Sequence, residues 1–387
     1  MPREMSNSWS WKPFEPTQTD TNLDIELLKS EVGKHFPFYD VRYDINSAAF
    51  FCRIDKESLE EKFNTLRKSL KEKGYIPMLR YEKGEHIIYI IKRPKKKEKP
   101  IWINLILLIA TIITTILTGS ILYIGYLDIW SMPNVMDVIN IKNLFFGTIL
   151  FALPLMSILF IHEMGHYFIS KKHGVSTSLP FFLPIPPILP SFNIGTFGAL
   201  ISSREPIPNK KALLDIGISG PLAGFFVALP ITIIGIATSE VTTLSQISPG
   251  EPALGSSFLF TILVHIIHNI PYGTDFVINM NPILFAGWVG LLITSINLLP
   301  AGQLDGGHVF RAVLGEKQKY AGWIAIFIMI FTGWWFFAFL IIFMMGMMHP
   351  PPLNDDTEVD IRRKMLFLVA IAILILCFIP NPIYITS

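Results

Sequence analysis

The chain has 387 residues, of which 51% are hydrophobic and only 16% are charged, and its mean hydropathy is +0.47. This balance excludes an ordinary soluble enzyme and is typical of a protein that crosses a membrane several times. The formal net charge of +2 says nothing useful about nucleic acid, but no basic nucleic-acid motif is present, so we expect no nucleic-acid partner. Residues 1–100 hold 20 of the 32 Lys and Arg and 16 of the 30 Asp and Glu, so a charged portion precedes an apolar one.

The charged portion begins with residues 1–22, which are polar and predict a flexible arm; they lack the apolar core of a cleavable signal peptide. Residues 23–93 have the periodicities of a small soluble α+β domain. Its predicted elements, in chain order, are a helix over 23–35, strands near 39–45 and 48–54, a helix over 58–74, and strands near 75–81 and 86–92. No chemistry can be identified in this domain. Scaffolding is favoured over docking of a regulatory partner.

A basic linker, residues 94–100, joins this domain to the first apolar run. By the positive-inside rule the N-terminal domain is expected in the cytoplasm. Residues 101–380 are predicted to form a mainly α polytopic helix bundle in a cell membrane. Six spanning helices are predicted, over 101–126, 144–172, 212–237, 282–299, 319–347 and 365–379. Residues 254–270 are apolar but short, which indicates a re-entrant or interfacial segment; the residues after 380 are then cytoplasmic.

Two non-helical pieces lie between the second and third predicted spans. The prolines of residues 179–190 forbid a helix, and residues 193–203 are typical of a glycine-bearing strand. We therefore expect a membrane-associated β-hairpin region at this point of the bundle.

The second predicted span contains the pattern His162-Glu163-Met164-Gly165-His166. Ionisable residues at membrane depth are costly and mark functional sites. Residues four apart share a helical face, so both imidazoles can bind one Zn²⁺, and Glu163 can act as general base on a metal-bound water. Because His162 precedes Lys171 by nine residues, the site is expected roughly 14 Å from the cytosolic end of the helix. The pattern predicts a metal-dependent hydrolase working inside the bilayer.

Zinc requires a further protein ligand, and Asp305 is the candidate. It follows an apolar helix within the stretch 297–308, and Gly306-Gly307 permits a backbone that turns the carboxylate toward the bundle. A helix cap or a loop turn is the alternative for an isolated Asp-Gly-Gly. Together the two motifs predict one Zn²⁺ per chain.

An HExxH on an apolar helix, followed far downstream by N-x-x-P-x-x-x-L-D-G at 297–306, resembles the site-2 protease family of intramembrane zinc metalloproteases, peptidase family M50. Residues 195–198 (GTFG) are similar to the family's glycine-containing strand, and residues 219–224 (SGPLAG) to its G-P-x-A-G helix. Residues 281–300 and 353–359 resemble the branch that includes chloroplast members. The resemblance covers about 143–380, and neither a PDZ nor a CBS domain is recognised.

The resemblance implies a residue set. The zinc ligands are His162, His166 and Asp305; the general base is Glu163; Asn297 orients the substrate or polarises the scissile carbonyl. A capped helix end explains Asn297 equally well. The substrates are transmembrane proteins in the lipid bilayer, cleaved in or near their transmembrane segments. Strand pairing would hold the unwound peptide, with a simple hairpin as the alternative. The residues assigned to this substrate strand are Asn193, Gly195, Thr196, Phe197 and Gly198.

Three other functions compete with this one: a proteolytically inactive or chaperone-like member, a membrane zincin with a glutamate third ligand, and a transporter with a histidine relay. The intact motifs disfavour all three. Gly220 and Gly224 are interpreted as residues that allow close helix packing. Asp215 is interpreted as a residue at the membrane edge. His265 and His268 favour structural roles, while His308 is placed either beside the site or at an ordinary interface.

Overall fold

The computed structural model describes residues 23–385 apart from 95–99, 128–132, 188–193, 244–251 and 272–275. The chain divides into two compact units between Pro94 and Lys95. The expected arm at 1–22, most of the expected linker and the expected substrate-strand residue Asn193 lie outside the described residues.

The N-terminal unit consists of two helices and an antiparallel sheet within residues 23–94. In chain order its elements are α1 (Ile25–Gly33), β1 (Phe38–Tyr43), β2 (Ser47–Cys52), α2 (Leu59–Glu72), β3 (Tyr75–Glu82) and β4 (Glu85–Lys92), and the strand order is β1-β2-β4-β3. Leu59, Phe63, Leu66 and Leu70 form the buried face of α2, as their helical spacing predicts. Lys83 and Gly84 both have positive φ, which suits the two-residue turn between β3 and β4.

The membrane unit is mainly helical. In chain order its elements are α3 (Ile101–Leu127), α4 (Val135–Val138), α5 (Ile141–Gly147), a π-helical turn (Thr148–Ala152), α6 (Leu153–Lys172), β5 (Phe181–Pro184), β6 (Thr196–Leu200), α7 (Lys210–Ala237), β7 (Glu240–Thr243), β8 (Pro252–Leu254), α8 (Phe258–Ile267), β9 (Phe276–Asn279), α9 (Pro282–Asn297), α10 (Asp305–Leu314), a 3₁₀ turn (Gly315–Lys317), α11 (Gln318–Phe331), α12 (Trp335–Met345), α13 (Ile361–Cys377) and β10 (Ile383–Ile385).

Three helical stretches of the described residues are long and apolar enough to cross a membrane, judged by length and composition: Ile101–Leu127, Ile141–Lys172 and Lys210–Ala237. They coincide with the first three predicted spans. By contrast α9 has 16 residues and α13 has 17, or about 24–26 Å at 1.5 Å per residue, somewhat short of a bilayer core. α8, with ten residues, reaches only about 15 Å.

The prediction of one helix over 319–347 is wrong, because α11 and α12 form an antiparallel hairpin. The Gln318 side chain at the start of α11 donates to the Met347 carbonyl (3.3 Å) and accepts the backbone N–H of His349 (3.2 Å). The break falls at Thr332-Gly333, where Gly333 has φ +79°. The indole N–H of Trp334 donates to the Ile379 carbonyl at 2.7 Å and anchors the turn.

This hairpin changes the path of the chain through the unit. α13 begins beside the start of α7, where Arg363 bonds Asp215. After α13 ends, β10 pairs with β8, which follows the end of α7. Strand β10 therefore lies at the end of the bundle opposite to the starts of α7 and α13, not at the end where the residues after 380 were predicted.

The expected β-hairpin region is present as β5 and β6, which pair in antiparallel register with Phe181 opposite Leu200. The hairpin lies along α3. The Asn104 amide donates to the Leu179 carbonyl (2.8 Å), and the Thr114 hydroxyl donates to the Gly195 carbonyl (2.7 Å). These contacts are ten residues apart on α3, which is about 15 Å along the helix axis.

Candidate metal centre

The two histidines of the HExxH pattern lie on the face of α6 that packs against α7. They are one helical turn apart and buried, with exposed fractions of 4% for His162 and 8% for His166. Glu163 is also buried, on the same turn as His162. The helical spacing therefore brings both imidazoles to one place, as predicted.

Asp305 completes a compact triangle with these imidazoles. His162 Nε2 and His166 Nε2 are 3.2 Å apart, and Asp305 Oδ2 lies 3.3 Å from the first nitrogen and 3.2 Å from the second. Four ligands arranged tetrahedrally at about 2.0–2.1 Å from a zinc ion are separated by roughly 3.3–3.4 Å from one another. The spacing and the donor set, two imidazoles and a carboxylate, fit that ion.

The orientation of His166 is determined by a backbone group of α7. Its Nδ1–H donates to the Ile216 carbonyl at 2.8 Å, because a carbonyl can only accept. In the neutral ring this leaves Nε2 as a lone-pair acceptor, 3.2 Å from an oxygen of the Asp305 carboxylate. Two acceptors at this distance repel each other, so the arrangement favours a cation between them.

The turn between α9 and α10 brings Asp305 to the histidines. α9 ends at Asn297 and α10 begins at Asp305. A Cβ on Gly306 would lie 2.1 Å from the Leu298 carbonyl oxygen, and one on Gly307 would lie 2.3 Å from that of Gly302. The two glycines are thus needed for close backbone contact, and neither has a positive φ.

Asn297 also reaches this centre. Its Nδ2 lies 3.4 Å from His162 Nε2, so the end of α9 presents a side-chain amide beside a candidate ligand atom. The side chain is in place to contact a group bound at the centre.

Only part of the candidate substrate strand is exposed and so free to contact a substrate. Gly195 packs tightly on α3, since a Cβ there would lie 2.7 Å from Thr115 Cα. Thr196 is buried and its hydroxyl donates to the Leu183 carbonyl at 2.9 Å, which ties β6 to β5. Gly198 has φ +92°, whereas Phe197 is 76% exposed. Among the described residues the sheet has two strands, and β6 packs against α6.

The other titratable residues weighed from the sequence lie outside the triangle. Asp215 accepts two bonds from Arg363 (2.8 and 2.6 Å) and contacts His173 (2.9 Å), which ties the end of α6 to α7 and α13. His265 and His268 bond backbone carbonyls, consistent with structural roles. The His308 ring lies 4.1 Å from the ring of His349, measured between centroids.

Sequence reasoning missed the contribution of α7 to the centre. Gly220 and Gly224, interpreted as packing residues, lie directly against the imidazoles of His166 and His162. A signal was present in the sequence, because the two glycines are four residues apart and so are the two histidines.

Comparison with known proteins finds one matching family and several similar proteins. Residues 150–340 match the model of peptidase family M50. The chain is 26% identical over 243 residues to the probable zinc metalloprotease EGY1, chloroplastic, of Oryza sativa subsp. japonica, covering 59% of this chain and 40% of that one. It is 27% identical over 249 residues to the Arabidopsis thaliana protein of the same name (59% and 43%), and 31% identical over 166 residues to the probable zinc metalloprotease EGY2, chloroplastic, of A. thaliana (43% and 29%). The chain spans less than half the length of these curated relatives, and no solved structure matches it.

Proposed function

We propose that the chain, whose residues 150–340 match the model of peptidase family M50, is an intramembrane zinc metalloendopeptidase that cleaves other membrane proteins in or near their transmembrane segments. The observation that carries the proposal is the triangle of His162, His166 and Asp305. These three side chains lie on helices of an apolar bundle, where ionisable groups are retained for function. They would bind one zinc ion per chain.

The chemistry follows from the groups around this triangle. A bound zinc ion would supply a Lewis acid for the scissile carbonyl and for a water molecule. The Glu163 carboxylate accepts the proton of the attacking water and later returns it to the leaving amine nitrogen. The Asn297 amide, which lies beside His162, donates a hydrogen bond to the carbonyl oxygen as negative charge develops on it.

A transmembrane substrate must first expose its peptide bond. A helix in lipid satisfies its amides internally, so it has to unwind before hydrolysis. We assign β6 to the binding of the unwound segment, with Phe197 as an exposed side chain available for contact. Gly195, Thr196 and Gly198 shape the strand itself, and Asn193 belongs to the same assignment.

For localisation we propose a multi-pass protein of the cell membrane. By the positive-inside rule, the Lys171-Lys172 end of α6 and the basic residues before α3 support a cytoplasmic N-terminal unit and a centre toward the cytosolic side. An inactive or chaperone-like zinc protein of the same fold is the alternative function.

The decisive experiment is the Glu163→Gln substitution in the full-length protein. Removing the base while keeping the shape of the side chain is expected to lower the cleavage rate of a membrane substrate by about 100- to 10,000-fold, with zinc content unchanged. Glu240→Gln, in β7 at the far end of α7, is the matched control and is expected to cleave normally. Membrane proteomics of cells with active and Glu163→Gln protein would identify the accumulating substrates.

Each result of this comparison has a clear meaning. Retained cleavage by Glu163→Gln contradicts the assignment of the base. A parent protein that binds zinc, with no membrane protein accumulating in the Glu163→Gln cells, supports the inactive alternative. A parent protein that binds no zinc refutes the proposal as a whole.

A further inference from the structure

The face of α7 that meets α6 carries two glycines, each opposite one histidine. A Cβ built on Gly220 would lie 2.1 Å from His166 Nε2, 2.4 Å from Cδ2 and 2.6 Å from Cε1. A Cβ on Gly224 would lie 3.1 Å from His162 Nδ1. Both pairs have a spacing of four residues and run in opposite order, since Gly220 faces the later histidine. The helices are thus matched turn by turn.

The contact at Gly220 is the most restrictive of these. Carbon atoms in ordinary contact are about 3.5–4.0 Å apart, so a methyl group at this position would force the ring to move by more than about 1 Å. Moving the His166 ring would break a hydrogen bond, because its Nδ1–H donates to the carbonyl of Ile216, which belongs to α7 as Gly220 does. Helix α7 thus provides both the space and the hydrogen bond that hold His166.

We propose that Gly220 is a positioning residue of the metal centre. Because Gly220 has no side chain, the His166 ring can lie against α7, and the Ile216 carbonyl then orients its Nε2 toward His162 and Asp305. This goes beyond helix packing and rests on the proposed function only in that the centre binds a metal. Groups that orient a ligand imidazole contribute about 10- to 100-fold to metal affinity.

The same helix offers a matched control. A Cβ on Gly235 would lie 2.4 Å from Leu284 Cα, a clash of similar severity with α9 and away from both histidines. Gly220→Ala and Gly235→Ala therefore introduce the same methyl group in the same helix. Only the first displaces an imidazole.

The test uses the full-length protein in detergent and Co²⁺ alone as the probe, with affinity measured by competition with a chelator. Gly220→Ala is expected to weaken Co²⁺ binding by about 10- to 100-fold and to alter the visible absorption bands that report coordination geometry. Gly235→Ala is expected to keep the parental spectrum and a Co²⁺ affinity within about three-fold of the parent. Its unfolding temperature is expected to fall at least as far as that of Gly220→Ala.

A normal spectrum and affinity in Gly220→Ala would overturn the proposal, as would equal losses of affinity in both variants. If Gly220→Ala does not fold, Gly224→Ala takes its place, because its Cβ contact of 3.1 Å requires only a small shift of His162. A changed Co²⁺ spectrum at a parental unfolding temperature then supports positioning by this glycine face, and an unchanged spectrum contradicts it. Failure of the parent to bind Co²⁺ would refute the metal centre instead.

Discussion

The N-terminal unit and the membrane unit both bury carboxylates, but they compensate the negative charge differently. In the N-terminal unit the Glu31 carboxylate bonds Lys34 and Lys73, each at 2.6 Å, together with the Ser69 hydroxyl. In the membrane unit Asp215 is held by the Arg363 guanidinium. Asp305 instead faces two imidazole nitrogens, and no Lys or Arg partner is recorded for it among the described residues.

The difference separates structural carboxylates from a candidate ligand. The negative charges of Glu31 and Asp215 are compensated by Lys and Arg side chains of the same chain, so these buried carboxylates require no bound ion. Under the proposed function, the positive charge that compensates Asp305 comes from a bound metal ion. Substituting the carboxylate or its partner at each of the three sites is therefore expected to have different consequences.

The largest effect is expected at the triangle. Asp305→Asn keeps the shape of the side chain but removes its charge, and we expect zinc affinity to fall at least about 100-fold. Asp215→Asn, the control, should retain the parental zinc content because Asp215 contacts Arg363 and His173 and not the triangle. Elemental analysis of each protein after dialysis against a graded chelator measures the difference. Parental zinc retention in Asp305→Asn would show that this aspartate is not a ligand.

A smaller effect is expected at the start of α7. Arg363→Met leaves the half-buried Asp215 carboxylate without its guanidinium, which should lower the free energy of unfolding by about 2–4 kcal/mol. Adding Asp215→Asn to this variant should restore part of the loss, since no charge then remains unpaired. Chemical denaturation in detergent measures stability, and zinc content should stay constant throughout. A parallel fall of zinc content would mean that the two sites are not independent.

The smallest effect is expected in the N-terminal unit. Hydrogen bonds from Lys34, Lys73 and Ser69 lower the pKa of Glu31 from 4.5 to about 2. A carboxylate whose pKa is depressed on folding contributes stability above its unfolded pKa, and this contribution is lost as the pH falls from about 4.5 to 2. Glu31→Gln should lower the free energy of unfolding of the N-terminal unit by about 1–3 kcal/mol at pH 7. It should also reduce the loss of this stability as the pH falls. Hydrogen exchange in residues 23–94 of the intact protein, corrected for intrinsic rates, checks both. Equal acid sensitivity in parent and variant would contradict this assignment.

A structural feature could be predicted from the sequence when it depends on neighbouring residues of one element, and not when it depends on which elements pack together. The apolar positions of α2 repeat with the helical period, and the two histidines of α6 are four residues apart, so both patterns predict their geometry. The hairpin of α11 and α12 was not predictable from hydropathy, because Thr332-Gly333 hardly interrupts the apolar run of 319–347. The role of Gly220 depends on which helix packs against α7. No property of residues 219–224 alone reveals that the partner is His166.

The attachment of the β5–β6 hairpin to α3 has a consequence for biogenesis. Irregular backbone is tolerated at membrane depth only where protein groups satisfy it. Here Asn104 bonds the Leu179 carbonyl and Thr114 bonds the Gly195 carbonyl, and both donors belong to a helix that is synthesised earlier. Because α3 is synthesised first, we expect the β5–β6 hairpin to form these hydrogen bonds only once α3 is in place.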